Sequence, residues 1–145
     1  MPGLTDRPAQ SGQAAVTCLD RAERALLNAA GSADDATRYA GAHVAALRTA
    51  AAVLAVRTRP HPRGERNAWV LLTRVAPELA EWAAFFAAGA PKRAAAEAGL
   101  TAAVTTREAD DLVRDAEGFL HVVEQLLDLP RQPVLRPAEA RVRHG

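Results

Sequence analysis

The sequence predicts an all-α fold, an antiparallel bundle of four main helices plus a short one. Alanine dominates a chain of 145 residues that is 49% apolar but only 4% aromatic, and alanine combines the best helix propensity with little bulk, so helix backbones can approach closely. Isoleucine is absent and valine is embedded in alanine–leucine runs, which leaves little material for strands. Apolar residues recur at three- and four-residue spacing in long stretches separated by glycine and proline. The length fits one domain, placed at residues 13–129 between a loose N-terminal arm (1–12) and a disordered arginine- and proline-rich tail (130–145).

The arm carries Pro2, Gly3, Pro8, Ser11 and Gly12. From 13 to 30, Ala15, Leu19, Ala22, Leu26 and Ala29 form one helical face, and Gly31 ends it. Ser32 offers an N-cap oxygen to a second helix over 33–57, with Asp34 and Asp35 in its first turn. Its buried face reads Ala36, Ala40, His43, Leu47, Ala50 or Ala51, and Leu54. Pro60, Pro62 and Gly64 break the chain. A third helix begins near Asn67 and carries Trp69, Leu72 and Val75. Pro77 either kinks it or opens a new one, and the pattern resumes through Leu79, Trp82, Phe85 and Phe86, all expected in the core. A short polar helix over 91–98 closes at Gly99. Thr105 and Glu108 form a capping box for a last helix of about five turns, with Ala109, Leu112, Val113, Ala116, Phe119, Leu120, Val123, Leu126 and Leu127 on its apolar face. Pro130 ends it.

The net charge of +1 gives no bulk attraction to nucleic acid or membrane. The tail holds Arg131, Arg136, Arg141 and Arg143 against Glu139, a surplus of three, so the remainder is mildly acidic. A single cysteine, Cys18, allows no internal disulfide and suits a reducing compartment; it reads as a small residue of the first helix. No leader pattern opens the sequence. The apolar run over 42–56 is interrupted by His43 and Arg48 and is short for a bilayer. These features predict a cytoplasmic protein with no membrane partner. The four histidines and one cysteine have no metal-ligand spacing, so neither a metal nor another cofactor is expected.

Two places could carry chemistry. Arg114 and His121 lie seven residues apart, within about 20° around a helix axis and on the order of 10 Å along it. A guanidinium can hold a phosphate and an imidazole can take a proton near neutral pH. At that separation one chain cannot bring both to one phosphate, so catalysis would need a second copy. The alternative is a pair of solvated helix contacts, Arg114 with Asp110 or Asp111 and His121 with Glu117. The other place is the stretch over 39–60, YAGAHVAALRTAAAVLAVRTRP. There His43 reads as a core histidine making one hydrogen bond before it reads as a ligand contact. Arg48 lies off the buried face. Arg57, Arg59, Arg63 and Arg66 form a basic loop that could meet phosphates or stay in water. His61 and His144 carry no weight.

Three segments, RYAGAHVAALRTAAAVLA, AWVLLTRVAPELAEWAAFFAAGAPKRAAAEAG and ADDLVRDAEGFLHVVEQLL, resemble in pattern and order the HEPN superfamily (higher eukaryotes and prokaryotes nucleotide-binding), in its small stand-alone actinobacterial type. The resemblance covers roughly 13–129. It implies a homodimer, RNA or a nucleotide as ligand, and a toxin, defence or stress role with an antitoxin or other protein partner. Many such proteins are metal-independent ribonucleases with an arginine, often a polar residue, and a histidine after a gap of four to six. Arg114, Asp115 and His121 match that pattern at its longest spacing. Other members have lost the motif and act as dimeric binding or regulatory modules. The small, mildly acidic, aromatic-poor body favours the module; the alternative is an endoribonuclease of toxin type.

Overall fold

In a computed structural model, residues 2–59 and 63–132 can be described. They form six α-helices and no strand. These are α1 (Pro2–Ala30), α2 (Asp35–Arg57), α3 (Ala68–Val75), α4 (Ala80–Ala88), α5 (Ala90–Glu97) and α6 (Thr106–Leu127), with 3-10 turns at Pro77–Leu79 and Thr101–Ala103. The expected helical bundle is present. Helix α1 includes residues 2–12, for which a loose arm was expected. Pro60, His61, Pro62 and the tail from 133 onward, with Arg136, Arg141, Arg143 and His144, lie outside the described residues.

Helix α2 is the axis of the bundle. It contacts α1 and α6 most extensively and also touches α3 and α5. By length and composition alone it could cross a membrane, unlike the shorter run read from the sequence, yet half of its apolar window is buried inside the bundle. Its small residues explain the close packing. A Cβ placed on Gly41 would stand 2.9 Å from Ala29 Cβ, so the α1 and α2 backbones meet where only glycine fits. Ala36, His43 and Ala50 are buried as expected. Ala40, Leu47, Ala51 and Leu54 are only partly covered, because neighbours on several sides spread the burial around the helix to Ala42, Ala45, Ala46, Thr49, Ala52 and Val53.

Cap chemistry corrects one boundary. Asp34, not Ser32, is the N-cap of α2, and its carboxylate accepts from Thr37 N at 2.8 Å and Thr37 Oγ1 at 2.6 Å. Ser32 N instead donates to Ala29 O at the end of α1. Pro77 does start a new element. It pushes Ala76 out of helical geometry (φ −140°, ψ 71°), and a 3-10 turn leads into α4. Gly99, at φ +83°, closes α5 in the left-handed region. The Thr105–Glu108 capping box is formed on both sides. At the other end of α6, Asp128 takes a left-handed turn two residues before Pro130.

The aromatic core joins α3, α4 and α6. Phe119 lies 5.2 Å from Phe86, 5.4 Å from Trp82 and 6.2 Å from Trp69, centroid to centroid. Phe85 departs from expectation: it precedes Phe86 by one position, points off the buried face and is 47% exposed.

Candidate functional site

The α6 residues Arg114, Asp115 and His121 sit on the outside of the bundle because α6 buries the opposite face against α2. The Arg114 side chain is 73% exposed, and its guanidinium is ion-paired with Asp111 one turn earlier. His121 is exposed as well. Asp115 is rotated about 100° from Arg114 toward α4, where with Glu81, Trp82 and Phe85 it lines a shallow pocket of about 320 Å³. Burial there pushes the Asp115 carboxyl pKa up; nearby Asp111 adds to the rise and Arg114 opposes it. Gly118 lies between the two stripes, and a Cβ on it would sit 3.5 Å from Trp82 Cη2. One copy therefore presents an open face: a cation satisfied by its own helix, a solvated imidazole, and a carboxyl held toward its neutral form beside an exposed phenyl ring.

The binding candidates are scattered. His43 is 1% exposed in the core, 2.8 Å through Nε2 from Phe86 O. A carbonyl only accepts, so Nε2 carries the proton; Nδ1 is buried with no partner. Trp69 and Phe86 meet the ring edge-on. Burial pushes the His43 pKa down more than the Phe86 carbonyl pulls it up, so the ring is a neutral tie between α2 and α4. Arg48 borders a groove between α1 and α2 with Arg24 and Gly41. Arg57 is structural: it pairs with Glu78 at 2.9 Å and bonds Val75 O at 3.2 Å, fixing the end of α2 to the Pro77 turn. Arg59 edges a separate, larger pocket. Among the described residues, no group of three or more His, Cys, Asp or Glu side chains could hold a metal.

A depressed histidine pKa has a defined sign. Between His43's folded pKa and about 6.5, the unfolded chain binds a proton that the folded chain refuses, so stability rises with pH. The contribution is complete above pH 6.5 and falls as acid approaches the folded value, by at most about 1.4 kcal/mol per pH unit. The melting temperature should drop from pH 7 to pH 5, and a His43→Leu variant should show a flatter profile over the same interval. Parallel profiles would remove His43 from this role.

Two arginines that local pattern did not single out hold the helix ends. Arg38, with a side chain 9% exposed, pairs with Asp35 at 2.7 Å and Asp110 at 3.0 Å and donates to Ser32 O. Arg131, expected in a disordered tail, has a side chain 4% exposed and contacts Asp20, Glu23 and Glu124. The Asp35–Arg38 spacing is a familiar helical pair, and Ser32 and Glu124 lie within seven residues of their arginines, whereas Asp110, Asp20 and Glu23 are remote in sequence.

Comparison with known proteins adds one positive result. The family model described as SAV_6107-like HEPN matches residues 29–124. No curated protein and no solved structure matches the chain at a significant level.

Proposed function

The chain belongs to the SAV_6107-like HEPN family, and from that premise we propose that it is a dimeric, RNA- or nucleotide-associated binding and regulatory module that does not itself cleave RNA. The observation that carries this reading is the state of Arg114. Its guanidinium is occupied by Asp111 of the same helix, and like His121 it is exposed on the helix surface. Phosphoryl chemistry needs preorganised, water-poor charge, and one chain supplies neither there. Self-association is supported by the neighbouring surface of α4, where Ala84, Phe85 and Ala88 are exposed next to Trp82; an apolar patch of this kind suits a second copy.

The second reading is a metal-independent endoribonuclease assembled across the dimer, and one observation favours it: Arg114 and His121 share the same free face. Arg114 would hold the scissile phosphate, with Asp115 supporting it from the next position. His121 would take the 2′-hydroxyl proton as that oxygen bonds phosphorus. The bond to the 5′-oxygen would break, and that oxygen would receive a proton from the partner's imidazole or from water. The products would be a 2′,3′-cyclic phosphate and a 5′-hydroxyl.

Two measurements test the readings. Light scattering on the eluting protein should give twice its 15.3 kDa, and Phe85→Asp should give the monomer with a nearly unchanged melting temperature. Total RNA incubated with wild type in EDTA should be bound without new 2′,3′-cyclic phosphate ends. Cyclic ends that vanish in His121→Ala would replace the module by the nuclease.

A further inference from the structure

Among the described residues, a cavity opens where α1, α2 and α3 meet. Its volume is about 810 Å³, within the range of roughly 300–1,000 Å³ typical of small-molecule sites. The apolar lining comes from all three helices: Ala14 of α1, Leu54 and Ala55 of α2, and Leu71 of α3. Among the described residues no aromatic ring lines it, so they offer no platform for stacking a nucleobase.

The charge at its mouth is net positive. Arg59, Arg66 and Arg74 stand there against one acid, Glu65, a surplus of two. Glu65 is directed elsewhere: its Oε2 accepts from Arg66 N and Asn67 N, both at 3.1 Å, at the start of α3. Its other oxygen reaches Arg74 at 4.0 Å, the limit of an ion pair. Arg59 and Arg66 have no carboxylate partner among the described residues. By contrast Arg38, Arg57, Lys92, Arg93, Arg107, Arg114 and Arg131 are each paired. The chain's own C-terminal segment is a poor occupant, because it carries Arg136, Arg141 and Arg143 against Glu139 and so has the sign of the mouth.

We propose that this cavity is a binding site for a small amphipathic anion, an aliphatic body with a single carboxylate or phosphate head. The aliphatic part lies against Leu54, Ala55 and Leu71, and the head is held by Arg59 and Arg66. Guanidinium groups bind both head types in a bidentate manner. The site is separate from the α6 face, so its occupancy is independent of whether the protein handles RNA.

The test uses the full chain and sodium decanoate, with decanol as the neutral counterpart, followed by titration calorimetry. Decanoate should bind one to one, and decanol at least about tenfold more weakly, as expected when one charge-assisted contact is lost. Arg59→Ala/Arg66→Ala should weaken decanoate by at least about tenfold at an unchanged melting temperature. Ala55→Trp, which fills the cavity, should abolish binding of both probes. Equal affinity for decanol and decanoate would overturn the proposal, as would decanoate binding that survives both variants, or no binding at all. Association with phosphatidylglycerol vesicles without binding of monomeric decanoate would overturn it too, by making this face a membrane contact.

Discussion

Replacing Arg131 by methionine should destabilise the fold by about 3 kcal/mol, lowering the melting temperature by roughly 10 °C. Asp20 and Glu23 stand one turn apart on α1, and Glu124 faces them from α6. Arg131 Nη1 binds Asp20 at 2.8 Å, and Nη2 binds Glu23 at 2.8 Å and Glu124 at 3.1 Å. The three carboxylates are tolerable together only because a guanidinium sits among them. The cost of its removal is concentrated on Glu23, whose side chain is 4% exposed like that of Arg131; an unpaired buried charge is far more expensive than the pair itself is stabilising. Asp20 and Glu124 are 40% and 32% exposed and can turn to water, which keeps the figure at the lower end of the usual range. The double variant Glu23→Met/Arg131→Met should recover most of the loss, since two apolar groups then replace a satisfied pair. Thermal melts of the two variants and wild type decide the matter. A shift under 1 °C for Arg131→Met would mean that the cluster does not clamp α1 to α6.

That cluster also marks where sequence reasoning runs out. Periodicity, the Thr105–Glu108 box and the Pro77 break place helices well, because each is a relation between residues within one or two turns. His43 was legible as a core histidine for the same reason: it shares a helical face with Ala36 and Ala50. Arg38 and Arg131 were not, since Asp110 lies 72 residues from Arg38 and Asp20 lies 111 from Arg131. A charged residue whose partners are remote looks like any solvated one. At the α6 face the sequence supplied the stripe of Arg114 and His121 but left several acids as possible neighbours. Only side-chain placement distinguishes Asp111, which takes the guanidinium, from Asp110, which is given to Arg38. The pocket between α1, α2 and α3 was partly legible as a basic loop. Its apolar lining comes from three helices and therefore exists only in the fold.

Phe119→Ala should cost about 3–5 kcal/mol, at the top of the range for core truncations. The ring is fully buried and is the one α6 aromatic among Trp69, Trp82 and Phe86, which come from α3 and α4. Its loss leaves a cavity between these helices that stacked rings fill poorly, because the flanking Trp69–Phe86 and Trp82–Phe86 pairs already lie nearly parallel, at 20° and 15°. Both tryptophans line that cavity, so the variant should show altered tryptophan emission in the folded state as well as a lower urea midpoint. The consequence reaches function through position. Trp82 covers Gly118 on the candidate face and shares a pocket with Phe85 and Asp115, so a loosened α4 blurs the surface proposed to meet a second copy. Phe119→Ala should thus lose stability and self-association together, whereas Phe85→Asp, changing an exposed ring, should lose self-association alone. If Phe119→Ala melted like wild type, the aromatic cluster would not be what sets α4 against α6. If Phe85→Asp remained dimeric, the interface would have to lie on another face.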